Sequence, residues 1–215
     1  MQDFAEQDGR RPVRAPAARA RSAHAAALSK VFVITGPSGV GKGTLIRGLL
    51  ERAPGLELAV SATTRPPRPG EESGTDYHFM TAEEFEARVA SGDFVEHAEY
   101  SGNRYGTLRS ELERRLENAA GVVLEIEVQG ARQVRAAMPE AVAVFIAPPS
   151  RAALRARLVG RGTDSPEQVD ARLATAEREL EAQPEFAHVV VNDGLEDATE
   201  ELTSIVRSAI STDRH

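Results

Sequence analysis

The 215-residue chain contains no cysteine. That excludes disulfide bonds and any thiolate nucleophile or thiolate metal ligand. It fits a cytoplasmic protein, the expected location. No apolar run approaches the ~20 residues that span a bilayer, so no membrane partner is expected, and no h-region marks a secretory signal. Positive charge is not in excess: 26 Lys and Arg against 33 Asp and Glu leave a net charge of −7. Such a balance argues against a general nucleic-acid coat. It does not argue against a mononucleotide, because local arginines decide that. His24, His97 and His188 lack ligand-like spacing, so no dedicated protein metal site is expected. The length suffices for one α/β domain with a sizeable core and inserted lobes.

Residues 1–29 stand apart from the rest. They include Arg10-Arg11-Pro12-Val13-Arg14 and Ala17-Ala18-Arg19-Ala20-Arg21, with no periodic apolar face. A disordered extension is expected there. Arg- and Ala-rich, acid-poor stretches also resemble organelle transit peptides. The same bias runs through the whole chain, which favours a solvated tail. From residue 30 the pattern alternates. Strands are predicted over 31–35, 56–60, 76–79, 94–100, 122–127, 141–147 and 188–191. Helices are predicted over 42–52, 81–91, 109–118, 129–138, 150–159, from 165 onward and over 195–210. Thr81 and Glu84 form a capping box, and Ser165-Pro166 gives an N-cap and N1 pair. Strand–helix alternation implies a parallel sheet with helices on both faces and a ligand at the carboxyl ends of the strands. The stretch 61–110 is strand-rich and reads as a small inserted lobe.

The strand at 31–35 runs into Gly36-Pro37-Ser38-Gly39-Val40-Gly41-Lys42-Gly43-Thr44. Glycines let successive backbone N–H groups point inward at a phosphate. The helix that follows adds its positive end. Lys42, expected to face solvent, supplies a cation for the β/γ-phosphates of a nucleotide. The usual hydroxyl directly after the lysine is replaced by Gly43, and Thr44 carries it one residue later. Gly-Lys-Gly-Thr resembles the loop of adenylate kinases and of some bacterial guanylate kinases. It implies Mg²⁺ held mainly by phosphates and water, which suits an ion that dehydrates reluctantly.

A second constellation is Ser61-Ala62-Thr63-Thr64-Arg65-Pro66-Pro67-Arg68-Pro69-Gly70-Glu71. Three prolines stiffen a loop that carries two arginines. Arginine is the preferred bidentate phosphate ligand, so a second phosphate site for an acceptor is expected. This segment resembles the acceptor loop of guanylate kinases. The resemblance runs from residue 31 to about 207. It includes Asp76-Tyr77-His78-Phe79, Phe94-Val95-Glu96-His97-Ala98, Gly102-Asn103-Arg104-Tyr105-Gly106-Thr107, Glu125-Ile126-Glu127-Val128-Gln129-Gly130-Ala131, Arg157 to Thr163, and Val191-Asn192-Asp193.

The resemblance implies a P-loop NTPase-type three-layer α/β fold with a GMP-binding lobe over 61–110 and a lid over 151–172. It implies phosphoryl transfer from Mg²⁺·ATP to GMP, and to dGMP. Ser61, Arg65, Arg68, Tyr77 and Tyr105 would hold the acceptor phosphate. Glu96 and Thr107 would read guanine, with Glu127 assisting where the family usually has the shorter Asp. Lys42, Arg65 and the lid arginines Arg157, Arg161 and Arg172 would carry the catalysis, and Asn192 would lie near adenine. A carboxylate, with two acceptor oxygens, matches guanine N1–H and its 2-amino group. Adenine N1, an acceptor, would face it unpaired. Two other readings are a non-catalytic guanylate-kinase-like interaction module and another small-molecule kinase on the same scaffold. The retained Lys42 and arginines disfavour the first, and Glu96 with Thr107 disfavours the second.

Overall fold

The computed structural model describes residues 29–160 and 166–212. Five parallel strands form the main sheet in the order β2-β7-β1-β8-β9. They are β1 (Lys30–Thr35), β2 (Leu56–Leu58), β7 (Gly121–Glu125), β8 (Val142–Ala147) and β9 (His188–Val191). Successive side chains of a strand point to opposite faces. In β1, Val31 and Val33 enter one core and Phe32 and Ile34 the other. Both faces are therefore buried, as a parallel sheet requires. The first core is closed by α3 (Arg109–Leu116) and α4 (Val128–Ala137), through Leu112, Val128, Ala131 and Val134. The second is closed by α1 (Lys42–Arg52) and α7 (Leu195–Thr212), through Leu45, Ile46, Leu49, Leu202 and Val206. Helices α5 (Arg151–Val159) and α6 (Pro166–Glu181) pack on each other through Leu154, Leu158, Val169 and Ala176.

A second, four-stranded sheet has the order β4-β3-β6-β5. Its strands are β3 (Ala62–Thr63), β4 (His78–Phe79), β5 (Phe94–Tyr100) and β6 (Asn103–Leu108). Helix α2 (Ala82–Ala90) covers it, with Phe85 stacked on Phe94 at 4.5 Å between centroids. The capping box of α2 is present in both directions. Thr81 Oγ1 accepts from Glu84 N–H at 3.1 Å, and Glu84 Oε2 accepts from Thr81 N–H at 2.8 Å.

The predicted elements are present, with three differences. Strands β3 and β6 fall where a loop and a Gly-rich turn are expected. Strand β7 stops at Glu125, so that Glu127 becomes the N-cap of α4. Ser29, assigned to the extension from the sequence, belongs to the fold. Its hydroxyl donates to the carbonyls of Leu116 (3.0 Å) and Ala119 (2.7 Å). The expectation for residues 1–28, and Ser165 as N-cap, lie outside the described residues.

One carboxylate ties the two sheets together. Glu111, 5% exposed, accepts from Val60 N–H at 3.1 Å, from Arg114 at 2.7 Å and from Arg115. Arg115 also reaches Glu57 on β2 at 3.0 Å, and His78 Nε2 of β4 lies 3.6 Å from Glu111. Burial alone would raise the Glu111 carboxyl, but the two arginines and the Val60 N–H overcome it and pull it down from 4.5 to about 2. A carboxyl lowered on folding stabilises above its unfolded value, and that contribution is lost as pH falls towards 2. Glu111→Gln is expected to cost about 2 kcal/mol at pH 7. Urea denaturation should show the difference from the unmodified chain shrinking between pH 5 and pH 2.

Candidate active site

The loop after β1 is folded by its own sequence. Gly41, the N-cap of α1, has φ of 100°, a left-handed conformation that favours glycine. Gly36 has φ of 135°, and a Cβ there would lie 2.3 Å from the Ile146 carbonyl oxygen. Val40 is fully buried and pins the middle of the loop. Its carbonyl accepts from Asn192 Nδ2 at 2.8 Å and from Arg157 Nη1 at 3.1 Å, while Arg157 Nη2 donates to Asn192 O at 2.8 Å. The loop is thus clamped from β8, β9 and α5. From α6, Arg172 Nη2 donates to Ser38 Oγ at 2.8 Å.

Lys42 corrects an expectation. It does not face solvent: it is 8% exposed, and Nζ donates to Gly36 O at 2.6 Å. Its other neighbour is Glu127 Oε2 at 3.8 Å. Glu127 and Glu179 each present a buried Oε2 without a hydrogen-bond donor. Burial, and then the neighbouring Glu127, raise the Glu179 carboxyl, and the Lys42 charge and then the bond with the Ser38 backbone only partly oppose that. Glu125 lies beside the loop, where a Cβ at Gly43 would come within 3.6 Å of its carboxylate. Desolvation raises Glu125 and Lys42 opposes the rise.

The second sheet faces the loop across a cleft of about 1150 Å³, lined among others by Arg65, Arg68, Tyr105, Glu127, Arg172 and Glu179. A depression of about 360 Å³ lies around the loop itself, bounded by residues 37–39, 41–44, Arg47, Glu125 and Glu127. Glu127 borders both, so the two open towards one point. The Arg65 guanidinium is held by Glu71 at 2.8 Å and lies 5.2 Å from the centre of the Tyr77 ring. The other Glu71 oxygen accepts from Arg68 N–H at 2.7 Å. Both arginines of the Pro/Arg loop are therefore staged by one carboxylate. The Tyr77 hydroxyl is raised by burial and then by Tyr105, whose ring is 6.1 Å away.

Glu96 is 3% exposed. A register shift in the β5–β6 ladder after Phe94 sets it opposite Thr107, as bulges re-aim side chains. Thr107 Oγ1 donates to Glu96 Oε1 at 2.8 Å. Burial pushes the Glu96 carboxyl up from 4.5 to about 7 despite that bond, and Glu127 adds to the rise.

The guanylate kinase family model matches residues 28–209. This chain belongs to the guanylate kinase family. Relatives include the guanylate kinase of Thermosynechococcus vestitus, 55% identical over 167 residues, covering 78% of this chain and 87% of that one. The guanylate kinase of Synechococcus sp. (strain CC9311) is 50% identical over 184 residues, covering 86% and 97%. The crystal structure of guanylate kinase from Anaplasma phagocytophilum superposes with a TM-score of 0.69 at 33% identity, covering 84% of this chain and 85% of that one.

Within this guanylate kinase fold, Arg65, Arg68, Tyr105, Glu127 and Arg172 line one cleft, and Lys42 lines the depression that meets it at Glu127, with Glu96 and Thr107 in the second sheet and Tyr77 next to β4. Ser61 immediately precedes β3, and its carbonyl accepts from His78 N–H at 2.9 Å. Asn192 and Arg157 are engaged with the loop carbonyl of Val40. Arg161 lies outside the described residues. Sequence reasoning assigned nothing to Glu71, Glu125 or Glu179. Glu71 and Glu125 closed motifs that were visible. Glu179 carries no local signal, being one of many charges on α6.

The raised Glu96 carboxyl has a stability consequence. Between 4.5 and about 7 the folded chain holds a proton that the unfolded chain has released. Stability from this group therefore falls as pH rises through that window. Glu96→Gln removes the effect. Chemical denaturation should show the variant gaining about 3 kcal/mol on the unmodified chain between pH 4 and pH 8.

Proposed function

We propose that the chain transfers the γ-phosphoryl of Mg²⁺·ATP to GMP, and to dGMP, forming ADP and GDP in cytoplasmic purine nucleotide metabolism. The observation that carries this reading is the opening of two anion-binding elements towards each other at Glu127. One is the glycine loop with Lys42, suited to a nucleoside triphosphate. The other is the Arg65 and Arg68 loop, suited to a monophosphate. Phosphoryl transfer needs two polyanions held in line and little covalent chemistry from the protein. A phosphate oxygen of GMP is already a nucleophile, so no general base is required.

Lys42 neutralises charge on the β/γ-phosphates, and Arg157, Arg161 and Arg172 do so from the lid over 151–172. Arg65, Arg68, Ser61, Tyr77 and Tyr105 hold the acceptor phosphate against its repulsion from ATP. Glu96 accepts from guanine N1–H and the 2-amino group, and Thr107 can turn its hydroxyl to O6. Glu127 assists at the base edge. Asn192 supports the donor site by fixing Val40. No cluster of three acidic or histidine residues suited to a metal occurs among the described residues. Thr44 and Glu125, beside the loop, fit the alternative, in which Mg²⁺ arrives on the nucleotide and these side chains hold its waters. When bound, Mg²⁺ offsets charge on the transferring group. Closing of the second sheet and of α5–α6 on the substrates would exclude water from the reacting phosphate.

ADP formation measured with GMP, dGMP, AMP and UMP tests the reading. Equal turnover of AMP or UMP would remove the guanine assignment, and no turnover with any acceptor would favour an interaction module. Arg65→Ala should raise the KM for GMP roughly tenfold to a few hundredfold, the worth of a charge-assisted phosphate contact. The KM for ATP should change far less. An equal effect on both substrates would move Arg65 to the shared centre.

Guanine needs the ionised form of Glu96, which burial holds at about 7. The kcat/KM for GMP should therefore fall as pH drops below about 7, approaching tenfold per unit. Part of any fall comes from the GMP phosphate itself, whose second pKa is about 6. The Glu96 contribution is read as the limb present in the unmodified chain and missing in Glu96→Gln. Superimposable profiles would take Glu96 out of the base site.

A further inference from the structure

Glu96 has a neighbour whose importance lies in what it lacks. Gly130 is the third residue of α4, and its Cα faces the Glu96 carboxyl group. A Cβ built there would lie 2.3 Å from Glu96 Oε2 and 3.0 Å from its Cδ. The next nearest atom is Ile126 Cδ1 at 3.4 Å. The space a methyl group would need is thus the space the carboxylate occupies. Glycine inside a helix is otherwise unfavourable relative to alanine, so its presence in α4 calls for a compensating use. The helix is also locked to β5 next to Glu96. Gln133, one turn on and on the same face, accepts from His97 N–H at 3.1 Å and donates to His97 O at 2.7 Å. The approach of α4 to the strand is therefore fixed by two hydrogen bonds, and the helix cannot simply back away from an added methyl.

We propose that Gly130 is a positioning residue for acceptor-base selection: it leaves the room in which Glu96 holds its second carboxylate oxygen, while Gln133 fixes the distance between α4 and β5. Thr107 orients Oε1 from one side by a hydrogen bond, and Gly130 sets the limit for Oε2 on the other. The functional half of this proposal rests on Glu96 as the reader of guanine. A methyl at position 130 meets the far end of a side chain rather than backbone, so the fold is kept and the carboxylate is displaced. Displacement misaligns the two acceptor oxygens with the two guanine donors. The loss then falls on GMP and spares ATP, whose site is built from other elements.

The test is a double-mutant cycle of Gly130→Ala with Glu96→Asp. Aspartate withdraws the carboxylate by one methylene and vacates the contested space. Gly130→Ala alone should lower kcat/KM for GMP at least tenfold with the KM for ATP unchanged within twofold. In the Glu96→Asp background the same substitution should change kcat/KM for GMP less than threefold. An equal factor in both backgrounds, an equal rise in both KM values, or no effect in either would overturn the proposal. Thermal melting provides a second reading, which needs no substrate. The double variant should melt at or above Glu96→Asp, because alanine is the better helix residue. A double variant that melts below Glu96→Asp would show the methyl striking something else, and would overturn it. Unmodified protein inert towards GMP would defeat the acceptor assignment and the functional half with it. The melting comparison would then still decide the contact between Gly130 and Glu96.

Discussion

Lys42 sits between the carbonyl of Gly36 and the carboxylate of Glu127, and the arrangement of the site follows from that position. The bond to Gly36 O closes the glycine loop on itself. The approach to Glu127, at 3.8 Å, sets the loop after β1 against the end of β7. Glu127 is also the N-cap of α4. The same residue that meets the loop cation therefore starts the helix that carries Gly130 and Gln133 to Glu96. The glycine loop and the pocket of Glu96 are thus joined through the first turn of α4. This buried cation bonds the Gly36 carbonyl and is acted on by three carboxylates, Glu125, Glu127 and Glu179. Phosphate oxygens of a nucleotide would complete its coordination, which is what a phosphate site requires.

Acidic side chains take opposite values according to what surrounds them. Glu111 and Glu96 are both buried. Glu111 receives two guanidinium groups and a backbone N–H and is held at about 2. Glu96 receives the hydroxyl and backbone N–H of Thr107, and burial still pushes it up to about 7. The first arrangement stabilises the joint between the sheets. The second destabilises the chain at neutral pH, because burial outweighs the bonds from Thr107. Under the proposed function, guanine N1–H and its 2-amino group would add two donors. A site left short of donors discriminates strongly against bases that cannot supply them. Such selectivity comes at the expense of stability, as expected where function requires an unsatisfied group.

The parts legible in the sequence are those set by local chemistry. The glycine loop, the capping box of α2 and the apolar runs of β1, β7 and β8 each declare themselves within ten residues. Strands β5 and β9 fall where their patterns place them. Strand β6 did not declare itself, because Asn103, Gly106 and the positive-φ Ser101-Gly102 pair read as a turn. Its strand character comes from pairing with β5 and β3. The burial of Lys42 was equally illegible, since it depends on Glu127, 85 positions along the chain, and on the walls that β7 and α6 supply. Glu179 and the engagement of Asn192 with Val40 are long-range contacts of the same kind. Motif residues could be named from the sequence, whereas the groups that hold them could not.

The joint between the sheets shows how one buried carboxylate governs both chain crossings. The chain leaves the main sheet after β2, passes Val60 and enters β3. It returns through β6 into α3. Glu111 lies on that returning helix and accepts from the N–H of Val60 on the outgoing segment. Arg115, one turn further, reaches back to Glu57 on β2. Both crossings are therefore pinned at one place on the first sheet's edge. The second sheet is held a second time from β5, where Gln133 of α4 exchanges two hydrogen bonds with His97.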